Sequence, residues 1–259
     1  MSINFAVRSE TGHVRENNED NFYCNNGIFM TPQEREKPFF MRGIAENPSI
    51  FAVFDGMGGE DCGELASLTA IETLAEHSDK IRYGSYLELN DFVSDVNKRL
   101  NSLMQERNIV TGTTFVLVVV KDDSFTVYNL GDSRAYRLEN GILIRITADH
   151  TVAEDKVRMG ILTPRRAEKS RERNILTGYL GMSEHKAIMP DMNGPYYFSE
   201  NRRVLLCSDG LTDMLSYREM AAIMTEAEDS SKAVNSLVDT ALNKGGKDNI
   251  TCIVIDCVT

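Results

Sequence analysis

Short apolar segments that end in an aspartate beside glycine recur along this chain, and they constrain its fold more than any other feature. In FAVFDGMGG, Asp55 directly follows four apolar residues and directly precedes Gly56. A chain with this pattern must place several carboxylates at the ends of strands. The other acids in similar contexts are Asp132, Asp209, Asp248 and the adjacent pair Glu19 and Asp20.

The residues alone leave two interpretations of these acids open. Asp-Gly is a common turn pair, so any single occurrence is explained by backbone conformation. Five such positions together favour a shared site, because neighbouring half-buried carboxylates repel each other unless a cation neutralises them. Oxygen ligands suit Mg²⁺ or Mn²⁺ better than zinc or copper. Glycine beside Asp55 would let a backbone carbonyl approach the same cation.

The hydrophobic pattern predicts an α+β fold with antiparallel strands. Alternating apolar residues flank Asn140-Gly141, which is a strong hairpin signal, and two apolar runs flank the turn-like residues 121–123. Because hairpins outnumber alternating βαβ units, we expect antiparallel sheets in a single domain spanning residues 1–259. Helical spacing and a capping box at Ser216 predict helices over about 63–76, 91–104, 153–159, 216–224 and 232–243.

Two segments fit this pattern less well. From about residue 148 to 195 the periodicity loosens and includes the basic stretch PRRAEKSRER, which we interpret as a mobile segment at the edge of the body. Residues 31–48, TPQEREKPFFMRGIAENP, form a long link between two predicted strands. This link is either a plain surface insertion or a contact for a partner.

Composition disfavours several classes of protein. The net charge of −11 argues against nucleic acid or an anionic membrane as the main partner, because both require basic surface. The sequence has no apolar run of about 20 residues that could span a membrane, and its N-terminus lacks the pattern of a signal peptide. The five cysteines are scattered without a CxxC pair, which indicates reduced thiols rather than a disulfide framework. We therefore expect a cytoplasmic protein.

Eight segments in the same order resemble the PP2C (PPM) family of metal-dependent serine/threonine protein phosphatases, in its compact bacterial form. Each segment is weak alone, but together they span roughly residues 4–257 and are very specific. The resemblance implies an αββα sandwich of two antiparallel sheets flanked by helices, with residues 148–195 as a flap beside the active site. The segments are GHVRENNEDNF, FAVFDGMGG, GTTFVLVVV, YNLGDSRAYRL, ITADHT, RNILTGYLG, LLCSDGLTD and GGKDNITCIVI.

The resemblance also implies an activity, the hydrolysis of phosphoserine and phosphothreonine in proteins. Two Mn²⁺ or Mg²⁺ ions roughly 3.5–4 Å apart would activate a water, so no protein nucleophile is required. Cys207 and Ser208 are then strand residues despite the sequence CSDG. We expect a monomer that acts on phosphoserine and phosphothreonine proteins, accompanied by a cognate serine/threonine kinase, without nucleic-acid or membrane partners.

The family pattern assigns four positions to the two main metal ions. Asp55 resembles the carboxylate that bridges both ions, and Gly56 would supply its carbonyl to one of them. Asp209 and Asp248 resemble the ligands that complete the other ion's shell.

The remaining roles implied by the resemblance lie around these ions. Glu19 and Asp20 would hold metal-bound waters, and Asp132 together with Asp209 would form a weaker third metal site. Arg15 matches the arginine that grips the phosphate, a task that suits a planar and permanently charged guanidinium.

One residue departs from part of the family, and alternatives to the phosphatase interpretation remain. Met57 stands where many eukaryotic members have a histidine proposed as general acid, which leaves a metal-bound water for that role.

A catalytically silent fold that senses metal or binds protein is the main alternative. A nucleotide-binding loop at DGMGG is a weaker one, because the spacing misses GxGxxG and acids stand where phosphate would lie. The basic flap stretch either steers acidic substrates or is a solvated loop.

Overall fold

The structure is a computed structural model of the 259-residue chain. Expectations that concern Gly59 or the part of the flap at 183–188 lie outside the residues it describes. The described residues are 2–25, 27–58, 62–84, 86–182, 189–198 and 203–258.

Strands and helices follow each other along the chain in runs rather than in strict alternation. In chain order the strands are Ser2–Glu10 (β1), Asp20–Cys24 (β2), Phe39–Ala45 (β3), Ser49–Gly58 (β4), Thr111–Thr113 (β5), Phe115–Lys121 (β6), Ser124–Leu130 (β7), Arg134–Glu139 (β8), Ile142–Arg145 (β9), Asp191–Tyr197 (β10), Arg203–Cys207 (β11) and Ile250–Val258 (β12). The helices are Cys62–Tyr83 (α1), Tyr86–Arg107 (α2), Val152–Arg158 (α3), Pro164–Ala167 (α4), Asp209–Met214 (α5), Tyr217–Glu226 (α6) and Ser230–Asn243 (α7), with a 3-10 turn at Arg171–Asn174.

The strands form two antiparallel sheets. One sheet has the order β3-β1-β12-β11-β8-β9, and the other has the order β10-β7-β6-β4-β2, with β5 paired to β4. The chain begins with a strand, a turn and a second strand, but β1 pairs with β12 and β3 whereas β2 pairs with β4. The turn between β1 and β2 therefore crosses from one sheet to the other.

The alternation of side chains along β4 shows how the layers form. Phe51 and Val53 belong to the core between the two sheets, while Ile50, Ala52 and Phe54 pack against helices α1 and α2. A strand whose two faces are both covered is apolar throughout, as the sequence FAVF is. Helices α5, α6 and α7 cover the outer face of the other sheet in the same way. The expected αββα sandwich is confirmed.

Local signals in the sequence account for several element boundaries. Asn140 and Gly141 have φ values of 51° and 76°, as a two-residue hairpin turn requires, and they join β8 to β9. Ser216 and Glu219 form the predicted capping box at the start of α6. None of the helices in the described part of the chain has the length and hydrophobicity that a membrane span requires.

Two segments contain more structure than the sequence pattern predicts, and one expectation needs correction. The long link at 31–48 contains strand β3, formed by residues 39–45 at the edge of a sheet. The loose segment at 148–195 contains α3, which confirms the helix predicted near 153–159, and also α4, the 3-10 turn and the first residues of strand β10, which pairs with β7. Ser208 lies after the last residue of β11 and is not a strand residue.

Candidate metal centre

The ends of β2 and β4 bring the first two acids together. Asp20, the first residue of β2, is the antiparallel pairing partner of Asp55 on β4. The carbonyl of Asp55 accepts hydrogen bonds from the Thr113 hydroxyl and the Thr114 amide, both at 2.9 Å. These contacts fix the backbone from which the Asp55 carboxylate projects.

The glycines beside the acids allow backbones to approach one another. A Cβ atom on Gly56 would lie 2.1 Å from the Gly63 carbonyl oxygen and 2.6 Å from that of Glu19. A Cβ on Gly210 would lie 1.9 Å from the carbonyl oxygen of Asn249. Neither Gly56 nor Gly210 adopts a positive φ. Gly56 beside Asp55 and Gly210 beside Asp209 therefore provide space for a crossing backbone rather than an unusual turn conformation.

Glu19 is held at three atoms. Its side-chain Oε1 accepts a hydrogen bond from the Gly63 amide at 3.2 Å, and its carbonyl accepts one from the Ser67 hydroxyl at 2.7 Å. Its own amide donates to the side-chain oxygen of Asn249 at 2.8 Å. Helix α1 and Asn249, the residue directly before β12, thus position Glu19 jointly.

Asp20 is buried and hydrogen bonded to a residue that the sequence did not single out for this site. The Ser208 hydroxyl donates to Asp20 Oδ2 at 2.7 Å. Burial raises the pKa of Asp20 to about 7, with repulsion from Asp209 and Asp248 adding to the shift and the Ser208 hydrogen bond opposing it. A carboxylate with this pKa is in an environment that disfavours its charge.

The pKa values of three half-buried acids are raised in the same sense. Burial raises the pKa of Asp209 to about 6, and repulsion from Asp213 and Asp248 contributes. The pKa of Asp55 is raised well above its ordinary value by burial and then by the charges of the surrounding aspartates. That of Asp132 is raised by burial and next by repulsion from Asp209. These groups lie close enough to interact strongly.

Arg15 lies at the rim of this cluster. Its Nη2 is 2.8 Å from Asp248 Oδ2, and half of its side chain is exposed. The hydrogen bond to Asp248 raises the pKa of Arg15, while Glu19 and Asp55 contribute through space. The structure therefore brings together all the predicted positions, in sequence order Arg15, Glu19, Asp20, Asp55, Gly56, Asp132, Asp209 and Asp248.

The donor set fits hard divalent cations. The side chains are carboxylates that repel each other, which is the arrangement that Mg²⁺ or Mn²⁺ neutralises. Among the described residues, no three His, Cys, Asp or Glu side chains are already arranged around one point at coordinating distance. Asp20 and Asp55 pair across β2 and β4, and Asp55, Asp132 and Asp209 interact through their charges, so a cation bound here would relieve their repulsion.

Sequence reasoning missed the residues that orient these acids. Asn249 donates to the carbonyl oxygens of Thr11 at 2.9 Å and Asn17 at 2.8 Å, and so ties the loop that carries Arg15 and Glu19 to β12. Its position directly after Asp248 was the one available signal. The hydroxyl of Ser67 carried none, because a serine inside a helix has many explanations.

The sequence model of the family described as Protein phosphatase 2C matches residues 39–244 of this chain. The serine/threonine phosphatase Stp of Listeria monocytogenes is 29% identical over 256 residues, which cover 96% of this chain and 94% of that protein. The serine/threonine protein phosphatase PstP of Mycobacterium tuberculosis is 30% identical over 270 residues, covering 100% of this chain and 46% of that protein.

The fold is also similar to solved structures. The catalytic domain of the serine/threonine protein phosphatase PstP, crystallised in complex with two manganese ions, superposes with a TM-score of 0.80. It is 28% identical in sequence, and the match covers 100% of both chains. The family match covers well over half of the sequence, and the chain therefore belongs to the protein phosphatase 2C family.

Proposed function

We propose that this protein hydrolyses phosphoserine and phosphothreonine esters in proteins and that it does so with divalent cations. The observation that carries the proposal is the convergence of strand-end carboxylates beside Arg15. Two cations would be held by Asp55, the Gly56 carbonyl, Asp209 and Asp248, with Glu19 and Asp20 supporting their waters and Asp132 contributing to a weaker third site.

The protein's contribution to this chemistry is the placement of charge. Bound Mn²⁺ or Mg²⁺ would neutralise the acids and act as the Lewis acid that activates a water for attack on phosphorus. The Thr113 and Thr114 contacts to the Asp55 carbonyl hold the central carboxylate in place. The Gly63 and Ser67 contacts do the same for Glu19.

Arg15 is suited to bind the phosphoryl group. Its guanidinium is half exposed, and it lies next to the acids through its ion pair with Asp248. A phosphate dianion offers stronger, bidentate partners than one carboxylate oxygen does. We expect Arg15 to turn from Asp248 toward the substrate, which frees that carboxylate for a cation.

The environment of Cys207 and Ser208 supports direct attack by water. Cys207 is fully buried, and burial raises the pKa of its thiol to about 12, so it is not a thiolate at neutral pH. Ser208 is also buried, and its hydroxyl donates to Asp20. In the net reaction a water oxygen bonds to phosphorus, the ester P–O bond breaks, and serine or threonine and inorganic phosphate leave. Met57 carries no proton to donate, so the leaving oxygen takes its proton from water.

The relatives support this activity over the alternatives. Stp and PstP are named serine/threonine phosphatases, and the PstP structure is a complex with two manganese ions. A catalytically silent protein would be expected to have lost acids from the centre, whereas every predicted position here retains its ligand type. The dinucleotide alternative lacks support, because the spacing of DGMGG misses GxGxxG and acids stand in the sequence where phosphate would lie.

The biological setting follows as a set of narrower proposals. We propose that residues 1–259 act as one catalytic domain, as a monomer, on cytoplasmic phosphoproteins. Phosphoserine and phosphothreonine arise by phosphoryl transfer, so a serine/threonine kinase must supply these substrates. The acidic net charge of −11 argues against nucleic acid or membrane as a partner.

The proposal is tested by phosphate release from a phosphothreonine peptide. We expect hydrolysis with Mn²⁺, no hydrolysis with excess chelator, and almost none from Asp55→Asn with Mn²⁺ present. The variant should remain folded by circular dichroism. Absence of release at saturating Mn²⁺ and Mg²⁺ on several phosphopeptides would overturn the proposal and favour the silent fold.

A further inference from the structure

One arginine in the long link between β2 and β4 is buried although its neighbours are exposed. Residues 31–34 and 36–38 are exposed to solvent, whereas Arg35 between them is only 3% exposed. The turn that carries it is closed by Thr31 and Glu34, whose Oε2 accepts hydrogen bonds from the amide and the hydroxyl of Thr31 at 2.8 Å each. This local closure fixes the direction in which Arg35 enters the protein.

Arg35 contacts the first turns of helix α1. Its Nη1 donates to the Glu64 carbonyl at 3.0 Å and to the Ser67 hydroxyl at 3.2 Å. The remaining guanidinium nitrogens, Nε and Nη2, are buried and have no hydrogen-bond partner in the described part of the chain. Burying a cation with unpaired donors is unfavourable. An arginine used for stability alone would be expected to have its donors paired, as the buried Arg203 has most of its own.

The contacts continue from Arg35 to the carboxylate centre. The Ser67 hydroxyl that receives the Arg35 hydrogen bond donates to the Glu19 carbonyl at 2.7 Å. That carbonyl oxygen lies where a Cβ on Gly56 would be 2.6 Å away, so it packs directly against the residue after Asp55. Gly63, one residue before Glu64, donates its amide to the Glu19 carboxylate. Arg35 therefore fixes, through one nitrogen, the backbone and hydroxyl that orient Glu19.

We propose that Arg35 is a positioning residue, supplied by the 31–48 link, that holds Ser67 and the start of α1 so that Glu19 and Gly56 present their oxygens to the cations. This inference rests on the proposed function, because it concerns the same centre. It assigns a task to a segment that the sequence left as a surface insertion or a partner contact.

The physical reason is the geometry that a cation site demands. Groups that orient the ligands of a metal ion commonly change its affinity by 10- to 100-fold when they are removed. Arg35 acts only through Ser67 and the α1 backbone and does not touch the substrate. It should therefore alter the affinity for the cation and leave the KM for the phosphopeptide unchanged at saturating metal.

The experiment is Mn²⁺ binding to the metal-free protein, measured by titration calorimetry, with thermal unfolding in chelator measured in parallel. We expect Arg35→Met to weaken Mn²⁺ binding about tenfold. Its unfolding temperature in chelator should stay at the wild-type value or rise, because the change removes a buried cation with unpaired donors. Arg35→Lys should recover part of the affinity, since both hydrogen bonds come from one nitrogen.

A second variant tests the path through Ser67. Ser67→Ala should weaken Mn²⁺ binding in the same direction as Arg35→Met. The variant with both Arg35→Met and Ser67→Ala should bind Mn²⁺ no more weakly than the weaker-binding single variant, because both changes break the same chain of contacts. If the two losses of Mn²⁺ affinity were fully additive, Arg35 would not act on Glu19 through Ser67.

Arg203→Met is the matched control. Arg203 is another buried arginine, but it bonds to Asp256 and to the carbonyl oxygens of Met224 and Ala227, which take no part in the carboxylate centre. The Arg203→Met variant should unfold at a lower temperature in chelator and bind Mn²⁺ with the wild-type affinity.

Two outcomes separate a failure of this inference from a failure of the proposed function. Wild-type Mn²⁺ affinity in Arg35→Met, together with lost affinity in Asp55→Asn, would overturn the role of Arg35 and leave the phosphatase proposal standing. Wild-type affinity in Asp55→Asn would overturn the proposed centre and this inference with it.

Discussion

Two clusters of charged side chains lie side by side in this protein. In one, basic side chains balance the acidic charge, and in the other most of the acidic charge has no basic partner. In the first, Asp149 is buried between two arginines, with Arg134 Nε at 3.0 Å from Oδ1, Arg134 Nη2 at 2.6 Å from Oδ2, and Arg145 also bonded to Oδ1. In the second, the carboxylate centre, no arginine or lysine among the described residues forms an ion pair with Asp20, Asp55, Asp132 or Asp209. Arg15 pairs there with Asp248 alone.

The contrast indicates which cluster has a structural task and which has a chemical one. The charge of the buried Asp149 is neutralised by two arginines, so it requires no cation. Its ion pairs hold the start of β8 to the segment after β9. Buried acids that are left unmatched have pKa values raised by burial and mutual repulsion, and such groups are typical of functional sites. The unmatched charge of the carboxylate centre is what a pair of divalent cations would balance.

The largest effect should come from removing one unmatched acid. Asp209→Asn should lower turnover of a phosphopeptide at least about 1000-fold, because it removes a proposed cation ligand. In chelator the same variant should unfold at a higher temperature than the wild type, since one source of repulsion is gone. Steady-state kinetics and thermal unfolding provide the measurements, and wild-type turnover would contradict the proposed centre.

Removing the matched acid should produce the opposite result. Asp149→Asn leaves Arg134 and Arg145 without their partner and should lower the free energy of unfolding by about 3 kcal/mol. Turnover at saturating Mn²⁺ should stay within a few-fold of the wild type. Urea unfolding in chelator measures the first quantity. An unchanged stability would show that the comparison between the two clusters is wrong.

Arg15→Ala should have a smaller effect on catalysis than loss of an acid. We expect kcat/KM for phosphopeptides to fall roughly tenfold, because a charge-assisted, bidentate contact to the phosphate is lost. The affinity for Mn²⁺ should not decrease, since Asp248 no longer bonds to a guanidinium. If kcat/KM were unchanged, the role assigned to Arg15 would be refuted.

The metal-free protein should become less stable as the pH rises from about 4 to about 7. Ordinary aspartates titrate near pH 4, whereas the pKa of Asp209 is raised to about 6 and that of Asp20 to about 7 in the folded state. The folded state therefore binds more protons than the unfolded state in this window, and the stability these groups contribute below pH 4 is lost as the pH rises.

Saturating Mn²⁺ should flatten this dependence, because the cations replace the protons. Thermal unfolding against pH, with and without Mn²⁺, measures the effect, and Asp20→Asn is the matched control that should show a shallower slope in chelator. An identical slope in wild type and control would contradict the assignment of the shift to Asp20.

The smallest effect is expected from the flap. Arg165, Arg166 and Arg171 are exposed, whereas the neighbouring Arg173 is bonded to Asp213 at 2.7 Å. Reversing the three exposed charges to glutamate should lower phosphoprotein turnover a few-fold at low salt and spare a small aryl phosphate. Equal effects on both substrates would show that this stretch does not steer acidic substrates.

Elements with a strong local signal could be predicted, and edge strands could not. Strands β4, β6 and β7, the hairpin at Asn140-Gly141 and the capping box of α6 follow from side-chain period and turn chemistry. Strand β10 was missed because Gly194 and Pro195 interrupt it and its pairing with β7 is irregular between Asn193 and Tyr196.

Strand β3 was missed for a different reason. It lies at the edge of its sheet, and Phe40 and Ile44 remain 46% and 70% exposed on the face opposite the core. Its apolar residues therefore do not alternate with polar ones, so period 2 is not visible in FFMRGIA.

The sequence by itself identified the candidate residues for holding a cation, because strand-end acids and adjacent glycines are local patterns. Tertiary structure decided which residues support them. Ser208 reaches Asp20 across 188 positions, and Asn249 reaches Glu19 across 230. Tertiary packing also decided that β1 and β2 belong to different sheets. It decided as well that Arg35 lies against the first turns of α1. Such contacts depend on how distant elements pack together, and neither residue type nor spacing encodes that on its own.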